Sequence, residues 1–354
     1  MNKPAISVVM VTRNVERFLG EAIESILGQT FQDFEFIIVD FGSTDKSKEI
    51  ASSYGTKDNR IRLHDIAPCA LADARNTACR LAQGKYIAVM DSDDVAVADR
   101  LLWEFEFIEK HPTVGLLGGA TEWIDSAGRS LYVDRFPTTD RDVREAFSES
   151  CPYCQPTVLF RKDAFVLAGG YRAVFGQSED YDLWLRIAEH FEATNLEQVV
   201  LKYRIHPGQI SIRQRKEQTL SILAAQLSAR ERLKGNPDPL NTCIEITPAV
   251  IAGLGVSEAE QESKIVTGYR HWIRRMTLAG EHAVALEAAN EVARTNWQFA
   301  EQWQIADLYV IIAGLYWQQK KFFSSAFAIG HAAAIRPKIL GRPLRPFLER
   351  LRLA

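Results

Sequence analysis

Tyr86-Ile87-Ala88-Val89-Met90-Asp91-Ser92-Asp93-Asp94 is the stretch that decides the fold. Residues 86–90 read as a short strand, and the strand runs directly into a cluster of acids. Behind it, residues 70–83 read as a helix, closed by Gly84 as a helix-ending residue. Ahead of it, a helix over 98–110 stops before Pro112, and residues 115–118 form a further strand. Nearer the N-terminus, Ile6-Ser7-Val8-Val9-Met10-Val11 is an apolar, β-branched run of the kind found in strands covered on both faces. Phe18, Leu19, Ala22, Ile23, Ile26 and Leu27 follow at helical spacing. Residues 34–39 are a second strand ending in Asp40, Ser43 or Thr44 can cap a helix running to about residue 54, and residues 61–64 are a third strand. Repeated strand–helix–strand units predict an α/β domain with a mostly parallel sheet flanked by helices. Ligands of such sheets bind beyond the carboxyl ends of the strands. Asp40 and the Asp91–Asp94 cluster are thereby placed on one rim.

Past Arg213 the pattern is helical throughout, over 216–233, 257–278, 282–295 and 300–317. A loop, Gly235-Asn236-Pro237-Asp238-Pro239, interrupts it. Alanines at 283, 285, 288 and 289, and again through 326–334, predict packed helical hairpins without a fixed repeat period. The expected division is a catalytic domain over 1–213 and an all-helical C-terminal region over 214–354. That region ends in a basic amphipathic tail, where Arg336, Lys338, Arg342, Arg345, Arg350 and Arg352 alternate with Leu340, Leu344, Phe347, Leu348 and Leu351. Such a tail suits an anionic membrane surface, or else a solvated edge packed on the domain.

The chain has 354 residues, 47% of them hydrophobic and 25% charged, as in ordinary soluble proteins. A net charge of -3 gives no electrostatic case for nucleic acid. The N-terminus leads straight into a strand with no secretory pattern. The longest apolar stretch, around 308–317, is shorter than the about 20 residues that span a bilayer. A cytoplasmic catalytic part, peripheral at the inner face of a membrane, is expected. Cys151 and Cys154 form a Cys-x-x-Cys pair in a proline-flanked loop. With neither a second ligand pair for zinc nor the strand-to-helix context of a redox motif, the pair reads as structural.

Four motifs carry candidate chemistry. Asp91-Ser92-Asp93-Asp94 puts three carboxylates in four residues, which suits Mg or Mn shared with substrate phosphates, or else an acidic loop before a helix. Asp40-Phe41-Gly42-Ser43-Thr44-Asp45 offers a tight turn with hydroxyls. Glu179-Asp180-Tyr181-Asp182-Leu183-Trp184 either starts a helix with acids or supplies a general base, with Trp184 in the core or stacked on a sugar ring. His206, in Tyr203-Arg204-Ile205-His206-Pro207-Gly208, follows a strand-like run over 199–203, and imidazole with carboxylates suits a divalent ion.

In this order, the motifs resemble the family 2 glycosyltransferases, which have the GT-A fold. The resemblance covers roughly residues 6–211 and includes Thr12-Arg13-Asn14, Ile26-Leu27-Gly28-Gln29-Thr30, Ala74-Arg75-Asn76 and Gly84-Lys85-Tyr86-Ile87 beside the four motifs. It implies an inverting transferase that takes a sugar from a nucleotide-sugar donor, with a divalent cation (Mn or Mg), and passes it to a glycan or lipid-linked acceptor of cell-surface polysaccharide synthesis. By the same resemblance Thr12, Asn14 and Asp40 belong to the donor base and ribose pocket, Ser43 is a substrate contact, and Arg75 lies near the nucleotide. Asp91 is a ribose or metal contact, Asp93 the metal ligand, and His206 a further metal or diphosphate contact. Asp180 is the catalytic base, with Glu179 and Trp184 beside the substrate. Many relatives carry a second acid where this chain has Phe41, which opens the choice of nucleotide, with UDP the first expectation. Two other enzyme classes fit worse. A nucleotidyltransferase would carry a glycine- and lysine-rich loop where this chain has Thr12-Arg13-Asn14-Val15-Glu16, and a dehydrogenase would carry Gly-x-Gly-x-x-Gly after the first strand. The alternative from another class is a catalytically impaired scaffold or partner-binding protein on the same fold.

Overall fold

The computed structural model describes residues 3–206, 215–295 and 297–338. The chain forms two compact units, Met1–Arg204 with Ala224–Glu245, and Ile205–Leu223 with Ile246–Ala354. The boundary expected between 213 and 214, and the tail beyond residue 338, lie outside the described residues.

The first unit is built on one mixed sheet. Its first half alternates β1 (Ile6–Thr12), α1 (Glu16–Leu27), β2 (Phe34–Asp40), α2 (Ser47–Gly55), β3 (Ile61–Asp65), α3 (Leu71–Leu81) and β4 (Tyr86–Asp91). Strands β3, β2, β1 and β4 are neighbours in that order and all parallel. Every residue of β2 is buried, as a strand between two helical layers requires. Ile6, Val8 and Met10 of β1 pack with Leu19, Ile23 and Ile26 of α1 in the core. The remainder comprises β5 (Val95–Ala96), α4 (Arg100–Lys110), β6 (Val114–Ile124), β7 (Ser130–Asp134), α5 (Asp140–Ala146), β8 (Leu159–Arg161), α6 (Lys162–Ala168), α7 (Glu179–Ala188) and β9 (Glu192–Arg204). Here β8 runs antiparallel between β4 and β6, β7 and β5 pair antiparallel with β6 and β9, and only β6–β9 is parallel. The parallel reading therefore holds for the N-terminal half of the sheet, and the other half is mixed.

Two local readings are corrected. Gly84 does not end α3 in a left-handed cap, since it is absent from the positive-φ residues. It is glycine because a Cβ there would sit 2.7 Å from the Ser7 backbone nitrogen, where β1 passes. Nor does Ser43 or Thr44 cap α2, which begins at Ser47 after an N-cap Lys46 that makes no side-chain cap bond. Their oxygens are turned to another loop, described below.

The second unit is helical among its described residues, with α8 (Arg215–Leu233) entering it only at its first turns. It continues through α9 (Pro248–Gly253), α10 (Glu258–Leu278), α11 (His282–Arg294), α12 (Gln302–Gln318) and α13 (Phe322–Ile335). Thr247 and Ser257 cap α9 and α10, each accepting a bond from a backbone N–H three residues on. Packing of α13 uses its small residues: Ser325, Ala328 and Ala332 are buried, and the Ser325 hydroxyl donates to the Ala313 carbonyl of α12 at 2.8 Å.

Candidate active site

Parallel register levels the ends of three strands. Thr12 pairs with Asp40 and Val11 with Asp91, so the loops after β1, β2 and β4 leave the sheet side by side. The first two loops are tied to each other. Asn14, held at φ 56°, accepts from the Thr44 backbone N–H at 2.7 Å through Oδ1, and its own N–H donates to Ser43 Oγ at 3.1 Å. Asp40 Oδ1 accepts from the N–H groups of Gly42 (3.1 Å) and Ser43 (2.9 Å). Gly42 has φ 96°, and a Cβ there would strike Pro68 at 2.5 Å. Asp40 Oδ2 and Thr12 Oγ1 are buried with no hydrogen-bond partner, and buried polar atoms in that state are costly unless something outside the chain satisfies them. Phe41 is buried, with the Arg13 guanidinium 5.7 Å from its ring centroid, so the ring fills the loop's base under a cation–π contact.

A single arginine gathers the acids. Arg75, on α3, donates to Glu179 Oε1 at 2.6 Å and to Asp91 Oδ1 at 3.3 Å, and lies 5.9 Å from the Tyr171 ring. Burial opposes its charge, but Glu179 and Asp91 outweigh that and hold the guanidinium protonated. Burial pushes Glu179 up to about 7 and Asp91 up to about 6, in each case against the pull of Arg75. Burial likewise raises Asp180, again opposed first by Arg75. Asp180 accepts the Tyr181 N–H at 2.7 Å in the first turn of α7. The loop carrying Tyr171 is pinned by Asn76, which exchanges two 2.8 Å bonds with that residue's backbone.

The acids of α7 separate by partner. Asp182 is fully buried and ion-paired with both Arg172 and Arg186, so it is a structural anion. Trp184, expected beside the substrate, has no exposed surface and packs on Phe160 and Tyr171, which places it in the core.

The acidic loop after β4 is held from a distance. Asp94 is fully buried, and its Oδ1 accepts the Arg204 backbone N–H at 2.7 Å. The Arg204 side chain donates to the Asp93 carbonyl (3.0 Å) and to Glu21 Oε2 (2.6 Å), and lies 4.9 Å from the Phe18 ring. Sequence reading passed over Arg204 as one letter of a motif. The available signal was an arginine at a strand end, opposite a cluster of acids. Asp94 Oδ2 is buried without a partner, and its carboxyl is pushed well above the usual range by burial and then by Asp93 and Asp91. Among the described residues no three or more His, Cys, Asp or Glu side chains gather as a metal cage. One or two carboxylates fit a hard cation completed by substrate phosphates, and Asp91 and Asp93 are of that type. His206 is buried and belongs to the second unit. Cys151 and Cys154 are thiols not joined in a disulfide, with Cys151 raised by burial and then by Asp180.

A family model described as Glycosyl transferase family 2 matches residues 7–167. The O-antigen biosynthesis glycosyltransferase WbnJ of Escherichia coli is 32% identical over 57% of this chain and 80% of its own length. The E. coli UDP-Glc:alpha-D-GlcNAc-diphosphoundecaprenol beta-1,3-glucosyltransferase WfgD is 29% identical over 61% of this chain and 83% of its own. Among solved structures, the mannosyltransferase PcManGT from Pyrobaculum calidifontis, in complex with GDP-Man and Mn2+, aligns with a TM-score of 0.52 and 19% identity over 95% of this chain and 87% of that one. That likeness bears on the fold, which is of the GT-A type.

Proposed function

Since the chain belongs to glycosyl transferase family 2, we propose that it moves a sugar, with inversion, from a nucleoside-diphosphate sugar to a hydroxyl of a glycan or lipid-linked acceptor in cell-surface polysaccharide synthesis. The carrying observation is the pairing of Asp91 and Glu179 with Arg75 at the carboxyl rim of the sheet, with Asp180 next to Glu179 at the start of α7. UDP is the first nucleotide to try, in keeping with the name of WfgD.

In this reading Thr12, Asn14, Asp40 and Ser43 receive the base and ribose. The unpartnered Thr12 Oγ1 and Asp40 Oδ2 are the atoms with bonds to offer. Arg75 and Glu179 hold the floor of the site, and Asp91 faces the ribose or diphosphate. Asp93 is the candidate holder of a divalent cation, for which the Mn2+ in PcManGT is the precedent. A cation bound there supplies Lewis-acid neutralisation of the departing diphosphate. Asp180 accepts the proton of the acceptor hydroxyl as that oxygen attacks the anomeric carbon and the carbon–diphosphate bond breaks on the opposite face. Its raised carboxyl brings the base nearer to neutral pH, where general-base catalysis gains.

Asp180→Asn should lower transfer about 10²–10⁴-fold while calorimetric binding of the nucleotide is kept. Near-normal turnover would remove Asp180 from the role. Titrating UDP, GDP, CDP and dTDP, each with and without Mn, names the nucleotide. Chelator should abolish transfer and Mn or Mg restore it, and full activity in chelator would remove Asp93 from metal binding. Among the described residues no helix is long and apolar enough to cross a membrane. The basic tail leads us to place the protein peripherally at the inner face of a membrane.

A further inference from the structure

Helix α13 carries its amphipathicity inside out. The face toward α12 is lined by Ser325, Ala328 and Ala332, while the solvent face presents Phe322, Phe323, Ala326, Phe327, Gly330 and Ala334. Phe323 is 95% exposed and Phe327 71%. At the start of the helix Trp317, itself 53% exposed, meets Phe322 edge-on at 4.9 Å between centroids, extending the aromatic surface onto α12. No Asp, Glu, Lys or Arg lies within residues 322–335. A contiguous exposed apolar face of this kind marks a binding surface.

Charge identifies the occupant. Residues 309–354 hold eight Lys or Arg and a single acid, Glu349, in a chain whose net charge is -3. Lys320 and Lys321 precede α13, and Arg336 and Lys338 follow it, so cations bracket the phenylalanine face at both ends. Aromatic and aliphatic side chains on one face, framed by cations, are what an anionic bilayer surface binds, since the rings enter the headgroup boundary while the ammonium and guanidinium groups meet lipid phosphates. At 14 residues the helix is too short to span a bilayer and suits lying in its plane.

We propose that the Phe322–Phe323–Phe327 face of α13 is a membrane-docking surface for anionic lipid. It deepens the peripheral placement inferred from the tail by naming a folded element that inserts. The test is flotation of the full chain with vesicles of mixed phosphatidylcholine and phosphatidylglycerol, and with phosphatidylcholine alone. The wild type should float with the mixed vesicles and far less with the neutral ones. Phe323→Ser combined with Phe327→Ser should weaken that partition at least about tenfold, on the loss of two buried rings. Circular dichroism should be unchanged, because both rings are already in solvent.

A companion chain carrying Arg342→Ser, Arg345→Ser, Arg350→Ser and Arg352→Ser separates the two readings. Loss of flotation in the tail variant, with full flotation of the phenylalanine variant, would overturn the α13 proposal and leave the tail reading standing. The reverse pattern would support α13 and remove the tail. Loss in both variants supports both. A wild type that ignores vesicles overturns the proposal. So does one that instead self-associates in sedimentation, with the phenylalanine variant monomeric, because the occupant is then a second copy.

Discussion

Asp91 and Glu179 share one guanidinium with Asp180 beside them, and the titration of this group should be visible in the rate. As the proposed base, Asp180 would have to be unprotonated, and burial raises its carboxyl above the usual value of about 3.9. The acid limb of kcat/KM should therefore fall at a higher pH than an exposed aspartate would give, and a limb at or below the ordinary carboxylate range would argue against Asp180. Arg75 also bears on stability. Arg75→Met strands Glu179 and Asp91 without their cation and should cost about 3–5 kcal/mol of unfolding free energy. Adding Glu179→Gln should recover part of that loss, and strict additivity in urea titrations would deny the coupling. At this scale the sequence placed Asp40 and Asp91 at strand ends, because a carboxylate that closes an apolar run marks where the strand leaves the sheet. It misplaced Trp184 and Ser43, whose surroundings are made by residues far away: Phe160 and Tyr171 enclose the indole, and Asn14 takes the hydroxyl.

Among elements, the segment after α8 is tied down by one acid. Asp238 accepts from Arg172 at 2.8 Å, from Arg232 at 2.6 Å, from the Leu240 N–H at 2.8 Å and from the Ser228 hydroxyl. Burial alone would raise it, but Ser228, Leu240 and Arg172 overcome that and hold it down to about 2. A depressed carboxylate stabilises the fold above its unfolded pKa, and the contribution is lost as pH falls toward the folded value. Asp238→Asn should accordingly cost about 2 kcal/mol at neutral pH and little near pH 2, which melts at the two pH values would measure. Periodicity disclosed α1, β1, β2 and the long C-terminal helices because each is long enough to show its repeat. It missed β5 and β8, of two and three residues, where no period can register and only pairing with β9, β4 and β6 makes a strand. It also shortened β9, whose polar first half reads as loop until β6 lies beside it.

For the whole molecule, two compact units predict unfolding in two steps. Urea titration followed by circular dichroism should resolve them, and Asp238→Asn should move only the one that belongs to the α/β unit. A single coincident transition, shifted as a block, would show one cooperative body. The bond from Arg204 to Asp94 spans 110 positions, and it has a consequence in time. A ribosome delivers the chain from its N-terminus, and β1, β2 and β3 have all their neighbours within reach as soon as residue 91 has emerged. The acidic loop is then already made, yet the strand that secures it is still to be synthesised. Until β9 arrives, Asp94 lacks the backbone bond that Arg204 supplies, so the acidic loop reaches its final setting late in the unit's synthesis rather than by degrees as the chain lengthens.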